Sequence, residues 1–302
     1  MIPVVHHPDY VAPARPGNAY SWNKNGLIRE ALLESEAAID WFAPEPMPRR
    51  WLEAVHCPDY VAEVAEARVP PEKERRIGFP VDERVARRAL RVPGGTYLAA
   101  LTAKARGYAA NSAGGSHHAL HDSGAGYCVL NDLAAAAVRL VGEGEARRVL
   151  IVDCDVHQGD GTAALTAGRP GIATYSIHAE KNFPARKARS TVDVALPDGV
   201  GDAAYLARLR ETLLPLVEAF RPDIILYQAG VDPLAGDRLG RLSLTPEGLD
   251  ARDRWVAELA RRSGVALAST PGGGYGDLMA VARAHVRTML TIGAVFGQYG
   301  TL

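Results

Sequence analysis

Short apolar runs, rich in β-branched residues, alternate along this chain with longer stretches whose apolar positions recur every three or four residues. The runs "VLIVD" (149–153), "IATYSIH" (172–178), "DIILYQAG" (223–230) and "GVALAST" (264–270) read as strands buried on both faces of a parallel sheet. The stretch "NDLAAAAVRLVGEG" from 131 opens on Asn and Asp, either able to cap a helix, and closes in glycine. Residues 202–219 and 247–262 place charges opposite an apolar stripe, the pattern of helices lying on a core. Strands alternating with helices predict an α/β fold: a three-layer αβα arrangement around a mostly parallel central sheet. The proline-rich patches "APEPMP" (43–48) and "RVPPEKERRIGFP" (68–80) read as surface loops, since helical patterns resume at once on either side. With no internal repeat or low-complexity tract, residues 1–302 read as a single domain.

Composition narrows the function classes. Apolar residues make up 47% and charged residues 23% of the chain, which suits a soluble globular protein with ample core material. A formal net charge of -1 gives no electrostatic reason to expect nucleic acid or an anionic membrane as partner. No run approaches the ~18 uninterrupted apolar residues of a membrane span, and the start "MIPVVHHPDYVAPARP" lacks the form of a signal peptide. Cys57, Cys128 and Cys154 are widely spaced and odd in number, which argues for a reducing compartment, by default the cytoplasm. Nothing in the sequence specifies an oligomeric state.

In an open α/β sheet, ligands sit beyond the carboxyl ends of the strands. The polar and glycine-rich segments gather there: "SAGGSHHALHDSGAGYC", "DCDVHQGDG", "QAGVDPLAGD" and "TPGGGYGD". If the strand stays extended past Asp153, the side chains of Asp153, Asp155 and His157 converge. Asp155 and His157 offer two ligands for zinc or another divalent first-row metal, and Asp232 at a neighbouring strand end is the natural third. Three protein ligands with an open position mark a catalytic rather than a structural site. Alone, D-x-D could hold magnesium for phosphoryl transfer, and Asp160 before Gly161 could be a cap or turn residue; the histidines favour zinc or iron. Cys154 falls on the opposite face and reads as a core thiol.

His117 and His118 follow two glycines, and each ring brings two nitrogens that need partners. A surface pair is one reading. Beside a metal-bound water, two imidazoles suit general base and general acid roles, and Asp153 and Asp160 are available to orient them. His121 reads as an ordinary loop residue. Tyr275, after three glycines, can swing into a cavity and donate to a developing oxyanion. A phosphate loop is the alternative there, but no lysine follows. Trp41, Trp51 and Trp255 read as packing.

Four segments in order, "GGSHHALHDSGAGYCVLND", "VDCDVHQGDGTA", "YQAGVDPLAGDRLGRLSLT" and "PGGGYG", closely resemble the histone deacetylase family of the arginase–deacetylase fold. The resemblance runs from about Val4 to the final helix. Gln158 in "DVHQGDG", together with "GDRLGRLSLT" and "HAEKNFPARK" (178–187), looks most like the class IV branch and its bacterial relatives. The resemblance implies metal ligands Asp155, His157 and Asp232, and a catalytic pair in which Asp153 orients His117 and Asp160 orients His118. Tyr275 takes the role of oxyanion-stabilising donor. Gly126, Tyr127 and Phe183 align with a tunnel wall around an acyl-lysine stem. A structural monovalent cation, K+ or Na+, is implied at the Asp153 side chain and the backbone oxygens of Asp155, His157 and Ser176.

Many bacterial relatives carry G-H-R-F-P-M-x-K where residues 17–24 read "GNAYSWNK", so Asn18 and Ala19 replace a histidine and an arginine near the inner end of the acyl pocket. That change leaves deacylation firmer than acetyl specificity. The expected reaction is removal of an acyl group, acetyl or longer, from the ε-amine of lysine in a protein or peptide, with Zn2+ or Fe2+ as cofactor. Small acylated amines such as acetylpolyamines are the alternative substrates. A binuclear manganese ureohydrolase of the same fold would need acids where Gly159 and Leu234 stand. A non-catalytic acyl-lysine binding module should have lost ligands or the tyrosine, and all are present.

Overall fold

The computed structural model describes residues 1–11 and 23–299, and within them eight strands form one sheet. They are β1 (Ile2–Val5), β2 (Ile39–Phe42), β3 (Tyr108–Asn111), β4 (Val149–Asp153), β5 (Ile172–Ala179), β6 (Val192–Leu196), β7 (Ile224–Gln228) and β8 (Ala266–Thr270). The spatial order is β2-β1-β3-β8-β7-β4-β5-β6, and every pairing is parallel. Parallel neighbours require crossover connections, which helices supply. Those helices are α1 (Asn23–Glu34), α2 (Arg49–Glu53), α3 (Pro58–Ala65), α4 (Pro71–Ile77), α5 (Glu83–Arg106), α6 (Asp132–Gly142), α7 (Asp160–Thr166), α8 (Asp202–Phe220), α9 (Pro246–Arg262) and α10 (Leu278–Val295).

Alternation along the central strands sorts their side chains into two cores. Val149 and Ile151 of β4 pack with α2 to α6 and Leu165 of α7, while Leu150 and Val152 pack with α1, α8, α9 and α10. This is the expected three-layer αβα arrangement. Each of the four expected strands is present, and "DIILYQAG" leaves the ladder after Gln228, where the ligand loop begins.

The structure corrects one reading. Residues 68–80 are not loop throughout, because Pro71–Ile77 is helical. Pro71 occupies the first turn, where its missing N–H costs nothing, Glu72 and Glu74 complement the helix dipole, and Gly78 ends the helix at φ +102. Composition alone reads proline as a break when it can equally be a start. One helix, α10, has the length and, at a mean hydropathy of 1.2, the composition of a membrane span, although charged and polar residues interrupt its apolar run. It carries Arg283 and Arg287, and 56% of that window is buried inside the fold, with Val281, Met289 and Ile292 in the core, as in a core helix.

Candidate active site

The carboxyl ends of β3, β4, β7 and β8 bring the four polar segments together. β4 ends at Asp153, and a bend then carries Asp155 and His157 to a point faced by Asp232 from the loop after β7. All three are buried, and their ligand atoms lie within 4.8 Å of one another. His157 Nδ1 sits 2.9 Å from Asp155 Oδ1 and 3.2 Å from Asp232 Oδ2.

Asp155 is held hard. Its Oδ2 accepts from Gln228 Nε2 at 2.6 Å and from the Gly273 N–H at 2.8 Å, and its Oδ1 accepts from the His157 N–H. Asp232 Oδ1 accepts from the Val156 N–H, whereas its buried Oδ2 has no hydrogen-bond partner among the described residues. A buried carboxylate oxygen with no well-aligned donor, only His157 Nδ1 at 3.2 Å, costs free energy that a bound cation would offset. Gly273 closes the cradle: a Cβ there would lie 2.0 Å from Asp232 Oδ2 and 2.6 Å from Asp155 Oδ2. The oxygen–nitrogen donor set suits a divalent first-row metal, so these residues fit such an ion.

Electrostatics point the same way. Burial and the charge of Asp155 raise the Asp232 carboxyl to about 7. Burial opposes a charged His157, but Asp155 and Asp232 outweigh it and raise the ring to about 10. Asp155 stays ionised well below the usual carboxylate range, because His117 and His157 overcome its own burial. Without a cation this cluster must hold protons to offset its acids.

The histidine pair stands beside it, ring centroids 4.0 Å apart. His117 Nδ1 bonds Asp153 Oδ2 and His118 Nδ1 bonds Asp160 Oδ1, each at 2.7 Å. The pairing implied by the family resemblance is therefore the one the fold makes. Asp153 does not converge with Asp155 and His157 as the extended spacing suggests: the strand ends, and its carboxylate turns to His117. The two rings differ. Burial disfavours charge on both, yet Asp153 and Asp155 raise His117 to about 9, while burial and the neighbouring His117 lower His118 to about 4. Burial raises the Asp153 carboxyl above its ordinary range, with the nearby His117 opposing that shift.

An aromatic wall completes the pocket. The Phe183 ring meets His118 edge-on at 4.7 Å, and Tyr275 lies 6.1 Å from His157 and 6.0 Å from Tyr127. Gly126 has φ +52, and a Cβ on it would come 2.7 Å from the His118 ring and 2.9 Å from Phe183, so only glycine lets the loop lie against the histidine. Ser176 stands opposite Asp153 in the β4–β5 register, with its hydroxyl 3.0 Å from His178 Nδ1. Cys154 is buried in the core, His121 is exposed, and Asn18 and Ala19 lie outside the described residues.

Several residues have supporting roles that a motif reading does not assign. Asp132, expected only as a possible cap, accepts from the N–H groups of Gly115 and Ser116 and from Thr96, fixing the entry to the histidine loop; Asn131 makes the cap. Gln228 braces Asp155. Gln158 bonds Asp193 and both backbone groups of Ala188, tethering the segment that carries Phe183. Buried His56 links Leu120 to Asn131. A polar residue closing an apolar strand run is the one available signal, and it applies to Gln228 alone.

Comparison with known proteins agrees with this geometry. Residues 19–291 match the family model described as the histone deacetylase domain. An uncharacterised protein of Picosynechococcus is 44% identical over 90% of this chain and 92% of its own length. Histone deacetylase 2 of Arabidopsis thaliana is 29% identical, with 86% and 69% covered, and the histone deacetylase-like amidohydrolase of Pseudomonas aeruginosa is 31% identical, with 62% and 53% covered. The crystal structure of the HDA15 HD domain superposes with a TM-score of 0.80 at 21% identity, covering 100% of this chain and 89% of that one, a likeness of fold.

Proposed function

The chain belongs to the histone deacetylase family, and from that premise we propose that it is a zinc-dependent amidohydrolase removing acyl groups, acetyl or longer, from lysine ε-amines of proteins or peptides. The observation that carries the reading is the pair of imidazoles with opposite charge preference beside a buried two-carboxylate, one-imidazole ligand set. Asp155, His157 and Asp232 would hold the metal. Zinc, or iron(II) in its place, supplies polarisation of the acyl carbonyl and acidification of the attacking water when bound.

Asp160 holds the proton of His118 on Nδ1, so Nε2 offers a lone pair, and the lowered pKa keeps the ring neutral and ready to take the water's proton. His117 is tied to Asp153 and favours the charged form, placing a fixed N–H and a positive charge beside the reacting carbon. As the C–N bond breaks, the pair returns the proton to the leaving amine. The Tyr275 hydroxyl donates to the tetrahedral oxyanion, and Gly126, Tyr127 and Phe183 enclose the acyl-lysine stem and exclude water. Asp153 and the backbone oxygens of Asp155, His157 and Ser176 would hold K+ or Na+ beneath the ligand loop. A cytoplasmic place of action belongs to the same proposal, and three free cysteines are compatible with it.

The test is zinc-loaded protein assayed on lysine peptides carrying acetyl to long-chain acyl groups, with acetylputrescine alongside. Turnover of at least one acyl-lysine peptide is expected. Turnover of acetylputrescine alone would move the substrate to small amines. Metal and peptide binding without any turnover would make the chain an acyl-lysine reader.

A further inference from the structure

The mouth of the pocket gathers positive charge that the fold does not use. Arg76, Lys181, Arg186 and Arg238 are exposed, and their side chains make no hydrogen bond or ion pair among the described residues. Each belongs to a segment that builds the mouth. The carbonyl of Arg76 accepts the Gly126 N–H, and the Arg238 N–H donates to the carbonyl of Tyr275. Lys181 and Arg186 flank Phe183, and Asn182 Nδ2 donates to the carbonyl of Leu239, joining that loop to the Arg238 side. The acids on these segments are mostly turned inward. Asp237 accepts the N–H groups of Tyr275, Leu239 and Gly240, and Glu74 accepts that of Val81. On the segments that carry the four cations only Glu72 and Glu180 remain exposed, with Asp122 and Asp277 exposed on the adjoining loops.

Two further features give this charge a shape. Phe183 and Leu239 leave 43% and 41% of their surfaces exposed, at the rim rather than in the core. Behind Phe183 lies a cavity of about 600 Å³, lined by Arg76, Arg186 and Lys187 together with Leu120 and the Phe183–Pro184 pair; its one acid, Asp160, is turned to His118 and is outnumbered by the three cations. Phe183 is thus the partition between this cavity and the histidine pair. Lys187 staples the partition by donating to the carbonyls of Asn182 and Pro184. A peptide advances at most ~3.6 Å per residue, so a side chain one or two positions from an engaged acyl-lysine reaches across that partition.

We propose that this rim selects acyl-lysines flanked by aspartate or glutamate, with Arg76 and Arg186 receiving the neighbouring carboxylate in the cavity behind Phe183. The inference rests on the deacylase reading of the site and names the substrate within it. The exposed Phe183 and Leu239 pack against the peptide on either side of the lysine. The same field repels polycations, which ranks acylated polyamines below peptides.

The experiment uses the full-length zinc-loaded protein and labelled acetyl-lysine peptides that differ only in having glutamate, alanine or lysine beside the modified residue. Both kcat/KM and Kd, the latter by fluorescence anisotropy, are measured. Acidic flanks are expected to exceed lysine flanks by about tenfold at low salt, through KM rather than kcat, with the ratio shrinking at high salt. The double variant Arg76→Glu/Arg186→Glu should invert the order, and the milder Arg186→Gln should reduce the ratio. Acid-selective binding without hydrolysis would leave this inference standing and remove the hydrolase reading. Hydrolysis with equal constants for all three flanks, or a preference for lysine, would overturn the inference and keep the enzyme.

Discussion

Replacing His56 with glutamine isolates one structural proton from the catalytic ones. The ring is fully buried, its Nδ1–H donates to the carbonyl of Leu120 at 2.7 Å, and its Nε2 accepts the Asn131 N–H at 2.9 Å. A carbonyl can only accept and an amide N–H can only donate, so the fold requires the neutral imidazole. Burial lowers the pKa from 6.5 to about 4, the Leu120 carbonyl opposing the shift and His121 adding to it. Between those two values the unfolded chain takes up a proton that the folded chain refuses. The contribution to stability is therefore intact above pH 6.5 and is lost as the pH falls toward about 4. For that pair of pKa values the loss at pH 5 is about 2 kcal/mol, and it reaches ~3 kcal/mol near pH 4. Glutamine keeps a donor and an acceptor and does not titrate. Urea unfolding of wild type and His56→Gln at about pH 7.5 and about pH 5 should show a pH-dependent drop smaller by about 2 kcal/mol in the variant. His6, His118 and His178 act in the same sense and His117 and His157 in the opposite one, but they are common to both proteins and cancel in the comparison. Equal drops in the two proteins would refute the reasoning.

Three further outcomes are expected. Tyr275→Phe should fold with an unchanged unfolding midpoint and lose about 10²-fold in kcat, the cost of one oxyanion donor, and near-wild-type turnover would remove Tyr275 from that role. Asp160→Asn keeps an acceptor for His118 Nδ1 but no charge to stabilise its protonated form; kcat should fall by about 10²-fold with zinc content unchanged, as read by elemental analysis beside the rate. Asp232→Ala should bind substoichiometric zinc after dialysis, and the stabilisation that zinc gives the wild type in a thermal melt should shrink. A variant that retains one zinc per chain would exclude Asp232 as a ligand.

Most of the candidate chemistry was legible in the chain because the types and spacings are themselves informative. Parallel strands buried on both faces announce themselves as apolar runs, and carboxylates or histidines placed directly after such runs need compensation wherever they end up. Asp155, His157 and Asp232 could be read as a ligand set on that ground, and His117 and His118 as a pair that needs orienting acids. Local pattern was less informative where proline can either break or begin a helix, as at Pro71, and where a long apolar helix such as α10 can be core or span.

Position in space decided the rest. Asp153 looked like a third converging ligand by alternation, yet the strand ends there and its carboxylate meets an imidazole 36 positions earlier. His117 and His118 are neighbours in sequence with the same intrinsic pKa, and only the carboxylates and the burial around each ring drive them to opposite sides of neutrality. Gln228, Gln158 and Asp132 stand inside the quoted segments and His56 outside them, but no spacing announces what any of the four bonds to, since a hydrogen bond across the fold leaves no periodic trace along the chain. By itself the sequence determined which groups this protein has for acid–base and metal chemistry and that they lie at strand ends. Which carboxylate joins the candidate ligand set, which turns to a histidine, and what charge each ring carries depend on distances of a few ångströms between distant segments, and those exist only once the sheet has brought its strands side by side.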